Sequence, residues 1–244
     1  LTWRAFERHY SLTTYEQLIS KLDSTIPVYP DWIKGIACAL GSAGLAFLYS
    51  GDMIAFIVTI ICSLIGYFTR TLSVRLGCNE YVGIALGGFA AMVSAYGFYS
   101  HIEQDSLVYV LVCCTLFMIP GVPLINAVID TINNHILSGI TRAIRTILIV
   151  GSMTLGMAMA LYFSPMPAFS FVDIKPHVLS IEQIIGSFMA AASFAVLFNA
   201  PVRLLLSIGI GGVLCVFIRN LLAVELGFSI AGATFVGAAV MSII

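Results

Sequence analysis

Apolar residues in this chain come in runs that short polar breaks separate. The runs cover residues 33–49, 53–69, 81–99, 107–119, 146–163, 183–198, 202–218 and 228–244. About 20 apolar residues are needed to cross the hydrocarbon core of a bilayer, so runs of this kind indicate membrane-spanning helices. Aromatic side chains such as Trp32, Tyr49 and Tyr99 fall near the run ends, where amphipathic rings sit at the lipid headgroups. The pattern predicts an all-α, polytopic membrane protein with about eight transmembrane helices.

Composition excludes two broad classes of function. Of the 244 residues, 60% are hydrophobic and 9% are charged, and the mean hydropathy of +1.03 is far above that of water-soluble folds. A soluble enzyme domain is therefore excluded. A nucleic-acid partner is not expected, because the formal net charge is −1 and the Lys and Arg residues are scattered. The expected surroundings are membrane lipid.

The distribution of positive charge predicts the orientation. If every run crosses once, nine Lys and Arg residues lie on the side of the N-terminus and two, Lys175 and Arg219, lie on the other. Positively charged loops stay in the cytoplasm, so residues 1–31 are predicted to be a cytoplasmic lead-in. The acidic loop 101–106 and a linker over 164–180 are then external.

An internal repeat relates the two ends of the chain. A shift of 149 residues aligns Leu48 with Leu197, Phe68 with Phe217, Arg70 with Arg219 and Leu72 with Leu221, and a shift of 150 aligns Leu76 with Leu226, Gly77 with Gly227 and Gly87 with Gly237. Five spans precede the second copy, and an odd number inverts it across the membrane, as in many secondary transporters. We therefore predict a first five-span repeat over 32–163 and a partial, three-span repeat over 181–244. A complete copy would end near residue 312, about 70 residues past Ile244, so we expect its remainder on a longer chain or on another subunit.

The fourth run is too short to span the membrane. Its 13 residues make about 20 Å of helix, whereas the hydrocarbon core is about 30 Å thick. It then meets Pro120, Gly121 and Pro123, which remove backbone donors and free the turn. A broken helix at membrane depth is tolerated where it faces protein or a wet cavity. We predict a break at 120–123 and a second short helix that begins near Pro123.

Polar residues on that second helix suggest a substrate site. Asn126, Asp130, Asn133 and Asn134 have helical spacing that places them on one face. A half-helix whose amino end lies at the bilayer midplane presents free N–H groups to a carboxylate, and Asp130 can carry a proton. The alternative is an amphipathic helix over 124–137 that lies flat on the cytoplasmic surface with a hydrated polar face.

Other candidates for chemistry are few. Glu80 begins the third span and is a second candidate for proton coupling, although acids at span ends are often only hydrated. The histidines and cysteines have no metal-ligand spacing, and no catalytic or nucleotide-binding motif is present. We expect no cofactor, no metal and no catalytic residue.

Residues 119–161, IPGVPLINAVIDTINNHILSGITRAIRTILIVGSMTLGMAMAL, resemble the threonine/serine exporter family, which includes two-subunit relatives that export succinate. The PGxPLxNAxxD core and the HxxSGxxR sequence carry the resemblance, and residues 194–212 are similar to the family's second half. The resemblance implies ten spans in two five-span halves, with a larger cytoplasmic region before them. It also implies an exporter of a small carboxylate metabolite, which would be threonine, serine or a dicarboxylate, in the inner membrane of a bacterium.

These observations lead to one prediction and two alternatives. The prediction is an exporter driven by an ion gradient, with Pro120, Gly121, Pro123, Asn126, Asp130, Asn133 and Asn134 as candidate substrate-binding residues. The first alternative is a non-transporting membrane subunit that scaffolds a larger transporter, because the second half is incomplete. A second subunit or a homo-oligomer is the protein partner to be expected in either case. The second alternative is an intramembrane enzyme, which the missing catalytic motif disfavours.

Overall fold

The computed structural model describes residues 13–14, 16–17, 29–49, 51–99, 104–164 and 180–243. These residues are mainly helical and contain no strand. The helices are α1 (Asp31–Leu48), α2 (Met53–Arg75), α3 (Glu80–Gly97), α4 (Gln104–Cys113), α5 (Gly121–Ile132), α6 (Ile136–Phe163), α7 (Ile181–Leu197), α8 (Val202–Glu225) and α9 (Ile230–Ile243), with a 3₁₀ helix, Leu116–Met118, between α4 and α5. Most of the predicted lead-in, the loop tip at 101–103 and residues 165–179 of the predicted linker lie outside this range.

Short polar side chains set where several helices begin. Asp52 accepts a hydrogen bond from the Ala55 N–H at 3.0 Å and so caps α2. Asn79 caps α3 by accepting from the Tyr81 N–H, and Ser180 caps α7 by accepting from the Gln183 N–H. Each cap satisfies one of the backbone donors that a first helical turn leaves unpaired. At these three helix starts, the polar break between two apolar runs is also a helix boundary.

Length and composition identify four helices that can cross a bilayer, namely α1, α2, α6 and α8. The segments Ser106–Met118 and Gly121–Ile132 pass the same test together, with a bend of 53° between them, and would make a fifth span. Helices α7 and α9 are apolar but shorter. The chain is thus a helical protein with four or five spanning candidates, and the total of eight spans stays a prediction.

Glycines let α1 and α7 cross at very short range. A methyl group on Gly44 would lie 2.6 Å from the Gly186 carbonyl oxygen, and one on Gly186 would lie 2.5 Å from the Gly44 carbonyl oxygen. Gly41, one turn earlier on α1, faces Ser193 instead. Because the contact moves towards the start of α7 as α1 advances, the two helices run antiparallel. Small residues at helix crossings allow this approach of backbones in membranes.

Matching backbone features occur in the α2–α3 pair and in the α8–α9 pair. Gly77 and Gly227, which follow α2 and α8, have φ of +88° and +63°, a conformation that glycine adopts without strain. A methyl group on Gly87 of α3 would lie 2.9 Å from the Gly66 oxygen of α2, and one on Gly237 of α9 would lie 2.9 Å from the Cys215 oxygen of α8. The α2–α3 pair and the α8–α9 pair therefore each have a close backbone contact at positions that are 149 or 150 residues apart.

Candidate functional site

A cavity of about 490 Å³ lies where α1 begins and α2 and α7 end. We call it the α1–α2 cavity. It is lined by Asp31, Lys34, Tyr67, Arg70, Thr71, Val74, Arg75, Phe117, Ile119, Phe194, Leu197 and Phe198. Apolar walls with a few charged groups are typical of sites that bind small molecules.

Positive charge dominates the lining of the α1–α2 cavity. Three cations face one carboxylate, that of Asp31, to which the Arg75 guanidinium donates a hydrogen bond. Arg70 lies 3.7 Å from the Glu80 carboxylate. Lys34 has no carboxylate of the described residues within ion-pair distance. A cleft with an excess of one sign of charge attracts ligands of the other sign, so this cavity favours an anion.

The helix break predicted from the sequence adjoins the cavity. Helix α4 ends at Cys113, the 3₁₀ helix follows, and α5 begins directly after Pro120. Phe117 and Ile119, both from this break, contribute to the cavity wall. The irregular backbone is thus placed beside a cavity that contains charged groups, where such backbone is tolerated at membrane depth.

The amino end of α5 offers fewer donors than the sequence suggested. Gly121 donates its N–H to the Ile119 oxygen at 2.9 Å, and Pro123 has no N–H. Leu124 already donates to the Pro120 oxygen at 3.1 Å. Among the described residues of this first turn, Val122 alone has a backbone N–H that donates no backbone hydrogen bond. A site for an anion made by this helix end alone would therefore be weak.

Asp130 is paired within the α5–α6 hairpin. Its carboxylate accepts a hydrogen bond from the Ser138 hydroxyl at 2.8 Å and lies 3.2 Å from the Arg142 Nε. The side chain of Asp130 is 20% exposed. The HxxSGxxR sequence thus supplies both partners of the acid in the PGxPLxNAxxD core.

The stripe of four polar residues predicted on the second helix does not continue past Ile132, and the helix of the alternative, 124–137, is too long at its C-terminal end. Helix α5 stops at Ile132, Asn133 caps it, and Asn134 has φ of 62°. Asparagine tolerates this left-handed conformation. The His135 N–H donates a hydrogen bond to the backbone carbonyl oxygen of Asp130 at 2.8 Å and so closes the turn. Asn126 is half-buried, whereas Asn133 and Asn134 are exposed. The four polar residues therefore do not share one helical face, and none of them lines the α1–α2 cavity.

Glu80 links three helices at the same end of the molecule. It pairs with Arg70 of α2 and accepts a hydrogen bond from Arg145 of α6 at 3.0 Å. Through Arg70 it is connected to the α1–α2 cavity. Its side chain is 40% exposed.

Sequence reasoning missed the cations of the cavity as site residues. Lys34, Arg70 and Arg75 served only to assign the orientation, because positive residues at span ends are usual. The pairing of Arg70 with Arg219 in the repeat was the one signal that could have selected Arg70. No group of three His, Cys, Asp or Glu side chains that could hold a metal occurs among the described residues.

Comparisons with known proteins identify similar sequences. The sequence profile of a family described as threonine/serine exporter matches residues 1–164, and a second profile, described as threonine/serine exporter ThrE, matches residues 183–244. The "Probable succinate transporter subunit YjjP" of Escherichia coli strain K12 is 25% identical over 154 residues, and the protein of that name in Klebsiella aerogenes is 23% identical over 154 residues. Each match covers 62% of this chain and 60% of the relative, so the chain spans less than two thirds of these curated relatives. No solved structure matches the chain.

Proposed function

The chain belongs to the threonine/serine exporter family, and from this membership we propose that it exports a small carboxylate metabolite across the bacterial inner membrane. The substrate class is threonine, serine or a succinate-type dicarboxylate, and the driving force is the proton gradient. The family is one of transporters, and we assign no catalytic residue.

The observation that carries the proposal is the α1–α2 cavity. Its volume of about 490 Å³ accommodates a four-carbon carboxylate together with water. Lys34 and Arg70 supply cationic donors, and Tyr67 and Phe117 supply apolar surface for the carbon chain. Arginine is suited to this role because its planar guanidinium binds a carboxylate with two parallel hydrogen bonds.

An inverted repeat gives such a protein a route to the other side of the membrane. Support comes from α1 and α7, which the 149-residue shift relates and which run antiparallel. The shift relates Gly41 to Ala190 and Ser193 to Gly44. A contact between Gly41 and Ser193 therefore requires a contact between Gly44 and Ala190, and both contacts are present. This exchange is what a two-fold axis between inverted repeats requires. We propose that residues 32–163 and 181–244 are these repeats and that the cavity end, which holds Arg70, Arg75, Arg142 and Arg145, is cytoplasmic.

Proton coupling is assigned to Asp130, with Glu80 as the second candidate. Protonation of Asp130 would remove the negative charge that holds Arg142 and would loosen the α5–α6 hairpin. Because α5 begins beside the cavity wall, a change in this hairpin can alter access to the cavity. Pro120, Gly121, Pro123, Asn126, Asn133 and Asn134 remain candidates for contacts with substrate along this route.

The test uses inside-out membrane vesicles from cells that express the full chain. Uptake of labelled threonine, serine and succinate is measured with and without a proton gradient. Arg70→Gln should reduce uptake at least tenfold, because a hydrogen-bonded charge pair contributes about 1.5–3 kcal/mol. Arg70→Lys should retain part of the uptake.

Arg203→Gln is the matched control, since Arg203 is exposed at the start of α8 and does not line the cavity. It should leave uptake unchanged. If Arg70→Gln transports all three compounds like the parent chain at equal protein level, the cavity is not the substrate site.

A scaffold subunit is the second candidate function. Apolar side chains cover the outer surface of the α5–α6 hairpin, with Ile132, Leu137 and Ile147 exposed by 75%, 81% and 68%. Such a surface requires lipid or a partner subunit, and the curated relatives are named subunits. Under this alternative, vesicles with the full chain bind no labelled carboxylate and show transport only when a second protein is present.

A further inference from the structure

A second polar cluster lies at the opposite end of the α1–α7 pair. It comprises Gln183 of α7 with Arg219 and Asn220 of α8. The Asn220 side-chain N–H donates to the Gln183 Oε1 at 3.0 Å, and the Arg219 Nε and Nη2 both donate to the Asn220 Oδ1, at 3.1 and 3.0 Å. Gln183 and Asn220 are each only 4% exposed. We call these three residues the α7–α8 cluster.

The repeat maps this cluster onto the α1–α2 cavity. A shift of 149 residues takes Lys34 to Gln183, Arg70 to Arg219 and Thr71 to Asn220, and all three source residues line the cavity. Phe198, one of the aromatic residues of the wall, corresponds in the same way to Tyr49, which lies close enough to Arg219 for an electrostatic interaction. About 22 Å of helix separates Phe198 from Gln183 at 1.5 Å per residue. The two sets are therefore equivalent by the repeat and lie at opposite ends of the bundle.

One difference between the sets points to a ligand. Arg70 has a carboxylate partner in Glu80. The shift of 150 residues takes Glu80 to Ile230, which is apolar, and no carboxylate of the described chain lies within ion-pair distance of Arg219. A cation in a membrane span needs a counter-charge, because an unpaired charge in a low-dielectric region is costly. The amide groups orient the guanidinium but cannot neutralise it.

We propose that the α7–α8 cluster is the second carboxylate-binding site of the transport path, opposite the α1–α2 cavity. The transported carboxylate supplies the charge that Glu80 supplies to Arg70. Gln183 and Asn220 hold the Arg219 fork in place, and the substrate leaves the protein from this cluster. This inference rests on the proposed function and adds a residue set on the far side of the membrane.

The test measures succinate exchange from each side separately. Right-side-out and inside-out vesicles with the full chain are loaded with unlabelled succinate, and the half-saturation concentration for labelled external succinate is determined, with threonine run in parallel. Arg219→Gln should raise this concentration about tenfold or more in one vesicle orientation only. Arg70→Gln should raise it in the other orientation only.

A gain of charge gives a second, independent variant. Ile230→Glu places a carboxylate at the position equivalent to Glu80, where it can pair with Arg219 and compete with substrate. It should raise the half-saturation concentration in the same vesicle orientation as Arg219→Gln, although Arg219 is intact. Arg203→Gln should leave the half-saturation concentration unchanged in both vesicle orientations.

The outcomes separate this inference from the proposed function. If no vesicle exchanges a carboxylate, the proposed function fails. Only the second site is refuted if Arg70→Gln raises the half-saturation concentration in one vesicle orientation while Arg219→Gln and Ile230→Glu change it in neither orientation. A change in thermal stability or in its dependence on anionic lipid, without a change in either concentration, would assign Arg219 to a lipid headgroup and would also overturn the proposal.

Discussion

The crossing of α1 and α7 predicts a large effect from one added methyl group. In Gly186→Ala the new carbon would lie 2.5 Å from the Gly44 carbonyl oxygen and 2.9 Å from the Phe47 Cβ. Carbon and oxygen atoms in contact are normally about 3.3 Å apart, so the helices must separate by about 0.8 Å. Backbone atoms cannot rotate away as a flexible side chain can. The whole interface between α1 and α7 is therefore disturbed.

The magnitude follows from the cost of overpacking, which is typically about 1–3 kcal/mol. For a chain of this size each kcal/mol lowers the midpoint of thermal unfolding by about 2–4 °C. Gly186→Ala should therefore lower the Tm of the purified protein by about 2–12 °C at a fixed scan rate. Gly44→Ala should do the same. Because both methyl groups act on one crossing, the double variant should lose less than the sum of the two.

Gly151→Ala is the matched control. Gly151 lies within α6, and a methyl group there meets nothing within 4 Å. Alanine is the better helix former by about 1 kcal/mol, so this variant should be as stable as the parent chain or gain a few degrees. If Gly186→Ala unfolds at the same temperature as Gly151→Ala, the helices are not in close contact and the two-fold argument for the repeat loses its main support.

Two further predictions concern coupling and orientation. Asp130→Asn should remain folded, because its amide can still bond to Ser138, but it should lose proton-driven uptake in inside-out vesicles. The control is Glu225→Gln, which changes an exposed acid at the end of α8. Full gradient-driven uptake by Asp130→Asn would remove Asp130 from the mechanism. Cys78 is exposed in the turn between α2 and α3. A membrane-impermeant maleimide should therefore label it in inside-out vesicles and not in intact cells, with Cys78→Ser as the unlabelled control. Labelling in intact cells would reverse the proposed orientation.

Helix positions could be predicted from the sequence better than helix lengths. The break near Pro120 was predictable because proline and glycine act locally on the backbone. The start of α6 was not, because the apolar run begins at residue 146 while the helix begins at Ile136. Arg142 and Arg145 interrupt the hydropathy pattern, but they do not interrupt the backbone hydrogen bonds of a helix. Charge therefore marks the end of an apolar run without marking the end of the helix.

The cavity could not be predicted because its residues meet only through tertiary packing. Lys34 and Arg70 come from opposite ends of two adjacent helices, and Phe198 comes from α7. Sequence reasoning gave weight to Asp130 because it is an acid in an apolar segment, and the structure pairs it with Arg142 of the next helix. The stripe of Asn126, Asp130, Asn133 and Asn134 assumed a continuous helix, and the left-handed Asn134 ends that continuity.

The α1–α7 crossing also sets an order of events during synthesis. Gly44 and Gly186 are 142 residues apart in the sequence. Ribosomes add about 5–20 residues per second, so the glycine face of α1 emerges about 7–28 s before the helix that covers it. During this interval lipid, the insertion machinery or the α1 helix of another newly made chain can occupy that face. A substitution that slows the insertion of α7 should therefore increase the yield of misassembled chains even where the finished protein is stable.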